Sequence, residues 1–197
     1  MKVNRKDNRG FSLVELMIVV AIMAVMGSFM FIGNALLAAQ YPRECANDLS
    51  AAFNKEKNYA LTKSATIDCY MELVYDSDGY YVRYYQPRNA VVKGDNPSDD
   101  WVLAEEEKVG KSAVDIICEF DGVSSVSIGS GRSVKFIYNR ISGEFKKSVI
   151  SDGSTPGIES GDPLYTAFCK RIEIKGGRTY EITIHSATGK HELTRVD

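Results

Sequence analysis

The strongest pattern in the chain is a long apolar run close to its N-terminus. Of the 29 residues from Phe11 to Ala39, 23 are hydrophobic and only Glu15 is charged. A helix rises about 1.5 Å per residue, so some 20 apolar residues span the roughly 30 Å hydrocarbon layer of a bilayer. We predict a transmembrane and assembly helix over residues 11–39, preceded by a short leader at residues 1–10.

Beyond Ala39 the chain turns polar but keeps the spacing of a helix. Lys55, Glu56 and Lys57 are expected on a solvated face, and Pro42 is expected to start or kink the helix. The prediction is an amphipathic continuation over residues 40–65. Its apolar face has the three-to-four spacing of one helix side and consists of Cys45, Leu49, Ala52, Phe53, Tyr59 and Ala60.

Alternating apolar and polar residues follow and indicate β-strands. The first two candidates, 66–74 and 80–85, flank Asp78-Gly79, which is typical of a hairpin turn. Gly-rich or Asp/Ser-rich joints separate most of the others, which are 101–104, 114–120, 123–128, 133–138, 144–150, 168–175, 178–185 and 190–196. Two polar stretches, 87–100 and 151–163, are predicted to be exposed loops, and contact with a partner is a hypothesis for them.

These patterns together predict an α+β fold. A long N-terminal helix, first transmembrane and then amphipathic, packs on an antiparallel β-rich globular head at residues 66–197. The full chain has 197 residues, which is enough for one domain with a hydrophobic core. Its formal net charge of -2 excludes a polycation and an acidic disordered tail.

Two ordinary explanations of the N-terminal segment leave features unexplained. A secretory signal has an apolar region of about 7 to 15 residues and a small-residue cleavage site, and the run here is longer. A plain membrane anchor explains the length and the basic leader MKVNRKDNRG, which stays on the cytoplasmic side. It does not explain the carboxylate of Glu15, because a charge near the membrane centre costs about 2.5 to 3.5 kcal/mol.

The string Gly10-Phe11-Ser12-Leu13-Val14-Glu15-Leu16, followed by the apolar run, resembles the class III leader of type IV pilins and type II secretion pseudopilins. The resemblance implies that a prepilin peptidase cleaves after Gly10 and N-methylates Phe11. It also implies that the amine of Phe11 on one subunit neutralises Glu15 on its neighbour, which lowers the cost of both charges in an apolar bundle.

The same resemblance implies partners and a location. The partners are the prepilin peptidase, other pilin or pseudopilin subunits, a membrane assembly platform and membrane lipid. The chain is expected to be a single-pass protein of the cell (inner) membrane, with its head outside the cytoplasm, that later enters a pilus or pseudopilus.

The C-terminal pattern is similar to the GspH-like minor pseudopilin domain. There, a strand ending in a glycine turn precedes a hairpin whose turn reads x-T-G-R/K. In this chain the strand 134–138 is followed by Gly143, and the strand 178–184 is followed by Thr188-Gly189-Lys190. The resemblance implies a structural subunit, either a minor pseudopilin or a minor pilin.

Basic residues near the C-terminus suggest an alternative function. The last thirty residues have a weak excess of positive charge, which could contact phosphate backbones. The alternative is a DNA-binding minor pilin of a competence or DNA-uptake pilus, with DNA as a partner only in that case. Its candidate residues are Lys170, Arg171, Lys175, Arg178, Lys190 and Arg195.

The four cysteines lie beyond the apolar run, at Cys45, Cys69, Cys118 and Cys169. An oxidising exterior favours disulfides, and four cysteines permit three pairings. If disulfides form, we expect Cys45 or Cys69 to pair with Cys169. Inert buried thiols are the alternative. A zinc site is not expected, because the sequence has no close C-x-x-C spacing.

Catalytic chemistry is not expected from the sequence. It has no G-x-S-x-G elbow, Walker motif or dinucleotide-binding glycine pattern. His185 and His191 flank the last predicted turn, and we expect both to face solvent rather than to bind a metal. The prediction is a protein that is not an enzyme and that uses no cofactor.

Overall fold

The computed structural model of this chain describes residues 12–62, 69–87, 101–139, 141–146, 148–151 and 166–196. Gly10, Phe11 and nearly all of the two predicted loops lie outside these residues. The chain divides into two compact units, Met1–Leu37 and Ala38–Asp197.

The two predicted helical segments are a single helix, α1, at Leu13–Thr62. Pro42 does not start a helix, because it lies inside α1. Its ring is buried against Gly176, where an added Cβ would come within 2.4 Å of the Pro42 Cγ. This packing contact offsets part of the backbone hydrogen bonding that proline removes from a helix.

Within the described ranges, eleven strands follow α1. They are β1 (Tyr70–Asp76), β2 (Gly79–Pro87), β3 (Trp101–Lys111), β4 (Asp115–Phe120), β5 (Val123–Ile128), β6 (Ser133–Ile137), β7 (Ser148–Ser151), β8 (Thr166–Ala167), β9 (Cys169–Lys175), β10 (Thr179–His185) and β11 (Lys190–Arg195).

The strands form two antiparallel sheets. Sheet A has the order β3-β2-β1-β6-β7-β8, and sheet B has the order β11-β10-β9-β4-β5. The chain therefore begins sheet B with β4 and β5, returns to sheet A for β6 to β8, and completes sheet B with β9 to β11. The predicted α+β class with an antiparallel β-rich domain is confirmed.

Several strand boundaries differ from the prediction, among them those of β1, β2, β3 and β7. β3 continues to Lys111 instead of ending at residue 104. Its charged residues are compatible with an edge strand because β2 supplies partners: Arg83 Nε donates to Glu106 at 2.5 Å. The predicted strand 144–150 begins only at Ser148, and Phe145 makes a single bridge to Tyr138.

The Ala38–Asp197 unit has one continuous core, shared by α1 and the inner faces of both sheets. Phe53 of α1 packs edge-on against Phe136 of β6 and against Phe145, with ring centroids 5.1 Å and 5.7 Å apart. The Tyr138 hydroxyl donates to the Phe53 carbonyl at 3.2 Å inside this core. These contacts fix α1 against the sheets.

The predicted apolar face of α1 is confirmed, except that Tyr59 is only half-buried. The expectation that Glu56 lies on the solvated face is wrong, because only 2% of it is exposed. The physical reason is its position: Glu56 stands three residues after Phe53 and four before Ala60, in the middle of the buried stripe.

Candidate functional site

The first turn of α1 holds the charged residue that the sequence singles out. The Ser12 Oγ accepts the backbone N–H of Glu15 at 3.2 Å, and the Ser12 carbonyl accepts that of Leu16 at 3.2 Å. A serine before the helix and a glutamate three residues later have the spacing of a capping box. Ser12 therefore fixes the start of the helix and the backbone position of Glu15.

Between Leu13 and Met26, α1 exposes large apolar side chains at most positions. We call this the apolar helix surface; it comprises Leu13, Val14, Leu16, Met17, Ile18, Val19, Val20, Ile22, Met23, Val25 and Met26. Leu13 is 75% exposed, and Glu15 is the one charged residue in this stretch. A helix that is apolar on every side is normally buried among other helices or in a membrane.

The described residues contain no helix that is long and apolar enough to cross a bilayer. A transmembrane role for residues 11–39 stays a prediction.

Glu56 is a titratable group that is buried, although the sequence predicts a solvated position for it. Its Oε1 atom has no hydrogen-bond partner among the described residues. Burial raises the pKa of its carboxyl group from 4.5 to about 7, although the positive charge of Lys55 opposes the shift. Glu56 is therefore a buried acid that titrates near neutral pH.

The two glycines of the C-terminal pattern lie against each other. Gly189 ends the 3-10 turn Ser186–Thr188 with a φ of 58°, and a Cβ there would lie 1.7 Å from the Gly143 carbonyl oxygen. Gly143 also has a positive φ, of 70°, and faces Leu61 of α1. The two parts of the pattern thus form one local structure.

Carboxylates are paired with three of the six candidate DNA-binding residues. Lys170 pairs with Asp121, and Lys175 pairs with Glu173 at 2.9 Å. Arg171 contacts Glu119 at 2.5 Å and Glu181 at 3.4 Å.

The other three candidates lie at the two ends of the β10–β11 hairpin, with Arg178 and Arg195 at one end and Lys190 at the other. Lys190 and Arg195 lie at opposite ends of β11, and Arg178 is exposed just before β10. The described residues do not bring the six together as one positive surface.

All four cysteines are buried thiols. The predicted link from Cys45 or Cys69 to Cys169 is not present. The Cys45 Sγ would lie 2.8 Å from a Cβ on Gly110 of β3, so Cys45 belongs next to sheet A. Cys169 lies on β9 of sheet B, where its thiol interacts with that of Cys118 on β4. Burial raises the pKa of the Cys45 thiol to about 12.

The two histidines lie in different environments. His185 is exposed, as expected. His191 is not solvent-facing: it is half-buried, its Nε2 is hydrogen-bonded to the Ser50 Oγ at 2.9 Å, and its ring centroid is 5.4 Å from that of Phe53. Burial lowers the pKa of His191. It lies opposite the buried Ile184 in the β10–β11 register, which explains its inward position.

Comparison with known proteins assigns the N-terminal region. Residues 5–31 match the family model of the prokaryotic N-terminal methylation motif. No curated protein and no solved structure matches the chain. The matched residues include Gly10, Phe11 and Glu15, whereas the GspH-like resemblance lies outside them and stays a prediction. The motif implies processing by a peptidase and assembly with other pilin subunits. The chain thus carries a prepilin-type N-terminal methylation motif, which supports a type IV pilin-like protein.

Proposed function

We propose that this chain is a minor pseudopilin or minor pilin, a structural subunit of a type II secretion pseudopilus or a type IV pilus. It is cleaved after Gly10, methylated at Phe11 and assembled through α1. The observation that carries this proposal is the apolar helix surface, which lies within the residues that match the methylation motif. Before assembly, membrane lipid covers this surface; in the filament, equivalent helices of neighbouring subunits cover it.

Glu15 sets the register between subunits in this proposal. It is a single carboxylate in an apolar stretch, and the Ser12 cap holds its backbone in the first helical turn. The freed amine of Phe11 on a neighbouring subunit supplies the opposite charge. A shift in register would leave both charges unpaired in apolar surroundings, which costs several kcal/mol per ion. The charge pair therefore selects one packing of the helices.

Contacts within the Ala38–Asp197 unit support the minor pseudopilin assignment. Gly143 and Gly189, which carry the GspH-like resemblance, pack together beside Leu61 of α1. Lys57 Nζ donates to the Thr188 carbonyl at 3.0 Å in the same region. The pattern residues thus join the last hairpin to the helix that enters the filament.

The alternative, a DNA-binding minor pilin, stays a prediction. The ion pairs of Lys170, Arg171 and Lys175 count against it, because each phosphate contact would have to displace a carboxylate. We therefore propose filament assembly, rather than DNA binding, as the main function of this chain.

Replacing Glu15 tests the assembly proposal. We expect Glu15→Gln to reduce incorporation into sheared filaments by about tenfold, which corresponds to about 1.4 kcal/mol per subunit contact. Incorporation is measured by immunoblot of the filament fraction relative to the membrane pool. Glu44→Gln, on the exposed side of the same helix, is the matched control and should assemble normally.

The N-terminus of the same samples tests processing independently. Mass spectrometry should find an N-methylated Phe11 in the wild type and in both variants. A mature chain that begins at another residue would contradict cleavage at Gly10. Normal assembly of the Glu15→Gln variant would contradict the charge pairing.

A further inference from the structure

Two cysteines lie on neighbouring strands that are far apart in sequence. In the β4–β9 register, Cys118 is opposite Ile172 and Phe120 is opposite Cys169, with a bulge between Glu119 and Phe120. Cys118 and Cys169 are 0% and 5% exposed, so both belong to the inner face of sheet B. The two cysteines are therefore diagonal neighbours on one face of the β4–β9 pair.

The two thiols interact in the folded head. The Cys169 Sγ also lies 3.7 Å from the Arg171 carbonyl oxygen. The other two cysteines are held at sheet A: Cys45 packs against Gly110 of β3, and the Cys69 carbonyl accepts the N–H of Tyr138. Among the three possible partners of Cys169, Cys118 is therefore the favoured one.

We propose that Cys118 and Cys169 form a disulfide bond when the head folds in the presence of a thiol–disulfide oxidant. The bond would join β4 to β9 and close the part of the chain that leaves sheet B after β5 and returns with β9. A crosslink that closes a long loop restricts the unfolded chain and thereby stabilises the fold. In the cell, the bond rests on the proposed export of the head, because the cytosol keeps thiols reduced.

The chemistry is exchange with a second disulfide, such as oxidised glutathione or the disulfide of an oxidoreductase. One cysteine, as its thiolate, attacks a sulfur of the oxidant, forms a mixed disulfide and releases one reduced thiol. The second cysteine, as its thiolate, then attacks the first protein sulfur and releases the other reduced thiol. The oxidant gains two electrons, and the two cysteine protons are taken up by its released thiolates.

The environment of Cys169 indicates when this exchange takes place. Interaction with the Cys118 thiol and burial raise the pKa of Cys169 well above its ordinary value. Little thiolate is therefore present in the folded head, and the thiolate is the reacting species. Exchange is expected while β9 docks onto β4, before the core closes.

Refolding with an oxidant tests the bond. The reduced full chain is solubilised in detergent and unfolded in urea. It is then returned to native conditions in a glutathione redox buffer. Thiols are then alkylated under denaturing, non-reducing conditions. Before alkylation, we expect an intact mass two hydrogens below that of the reduced chain. Alkylation should then label Cys45 and Cys69 only, and proteolysis should yield a peptide pair joined through Cys118 and Cys169.

Two serine variants, one of them a control, accompany the wild-type chain in this test. Cys118→Ser should abolish the linked peptide pair, whereas Cys45→Ser should retain it. If Cys118→Ser does not fold, the linked peptide in the wild-type chain is sufficient evidence. Alkylation of all four cysteines in the refolded wild type, or a link between another pair, would overturn the inference.

The same alkylation on the chain taken directly from cells separates this inference from the proposed function. A chain that forms the bond during refolding but is reduced in cells would contradict export of the head and leave the disulfide inference supported. A chain that forms no bond in either sample, while Glu15→Gln impairs assembly, would overturn the disulfide alone.

Discussion

At the scale of single residues, the buried carboxyl of Glu56 makes stability depend on pH. Its pKa is about 7 in the folded chain and close to 4.5 when exposed. Between these values the folded chain holds a proton that the unfolded chain has lost, so stability falls as the pH rises through this window. The loss is on the order of 3 kcal/mol and is complete above about pH 7.

Replacing Glu56 by glutamine should remove this dependence. We expect Glu56→Gln to be more stable than the wild type at pH 8 by about 2 to 3 kcal/mol and nearly equal to it at pH 4.5. Urea unfolding of the two proteins across this range measures the difference, and the comparison cancels the titration of other carboxyl groups. Glu44→Gln should follow the wild-type curve. A constant difference between Glu56→Gln and the wild type at every pH would contradict the assignment.

Single residues also show where the sequence sufficed and where it did not. The N-terminal methylation motif is recognisable from the sequence because it depends on linear spacing, and residues 5–31 match its family model. The roles of Gly10, Phe11 and Glu15 stay predictions. The charge of Glu56 predicts a solvated position, whereas its spacing from Phe53 and Ala60 places it on the buried stripe. The inward position of His191 depends on contacts with Ser50 and Phe53, which are remote in sequence, and no local pattern encodes them.

At the scale of elements, the turn between β10 and β11 depends on Gly189. A side chain there would require a left-handed backbone and would collide with the Gly143 carbonyl oxygen. We expect Gly189→Ala to destabilise the fold by about 2 kcal/mol or more. Gly129→Ala is the control, because its added Cβ meets no atom within 4 Å. Equal unfolding midpoints in urea would show that the hairpin does not need the close approach.

Element boundaries were predictable where alternation was clear. β5 has the predicted bounds Val123–Ile128, since its flanking turns contain glycine. β3 was predicted too short, because three consecutive glutamates hide the strand pattern. Its pairing with β2 supplies the missing information: Tyr84 donates to Glu107 at 2.8 Å, beside the Arg83–Glu106 pair. Such partners become visible only when the strand register is known.

At the scale of the whole molecule, Phe53 joins α1 to both sheets of the head. It contacts Phe136 on sheet A and His191 on sheet B. We expect Phe53→Ala to lower the free energy of unfolding by about 3 to 5 kcal/mol, because removal of a buried ring leaves a cavity. Asn54→Ala, one position along on the exposed side, should cost less than about 1 kcal/mol. Similar urea midpoints for the two variants would contradict this central role.

Strand order could not be derived from the sequence. Alternation identifies strands but does not say which strands are neighbours, and here the chain divides them between two sheets. The link that the sequence predicts from Cys45 or Cys69 to Cys169 is absent. That Cys118 is a neighbour of Cys169 depends on β4 and β9 being adjacent, which the sequence does not reveal.

The return of the chain to sheet B also has a consequence for timing. Ser50 and His191 are hydrogen-bonded across 141 positions, and three of the five strands in sheet B come from the last 29 residues. Proteins are synthesised from the N-terminus, so the apolar face of α1 is made long before β9 to β11 exist to complete its cover. Contacts of such long range form slowly. The head therefore reaches its final state only after nearly the whole chain has been made, and the amphipathic part of α1 must be kept from other partners during that interval.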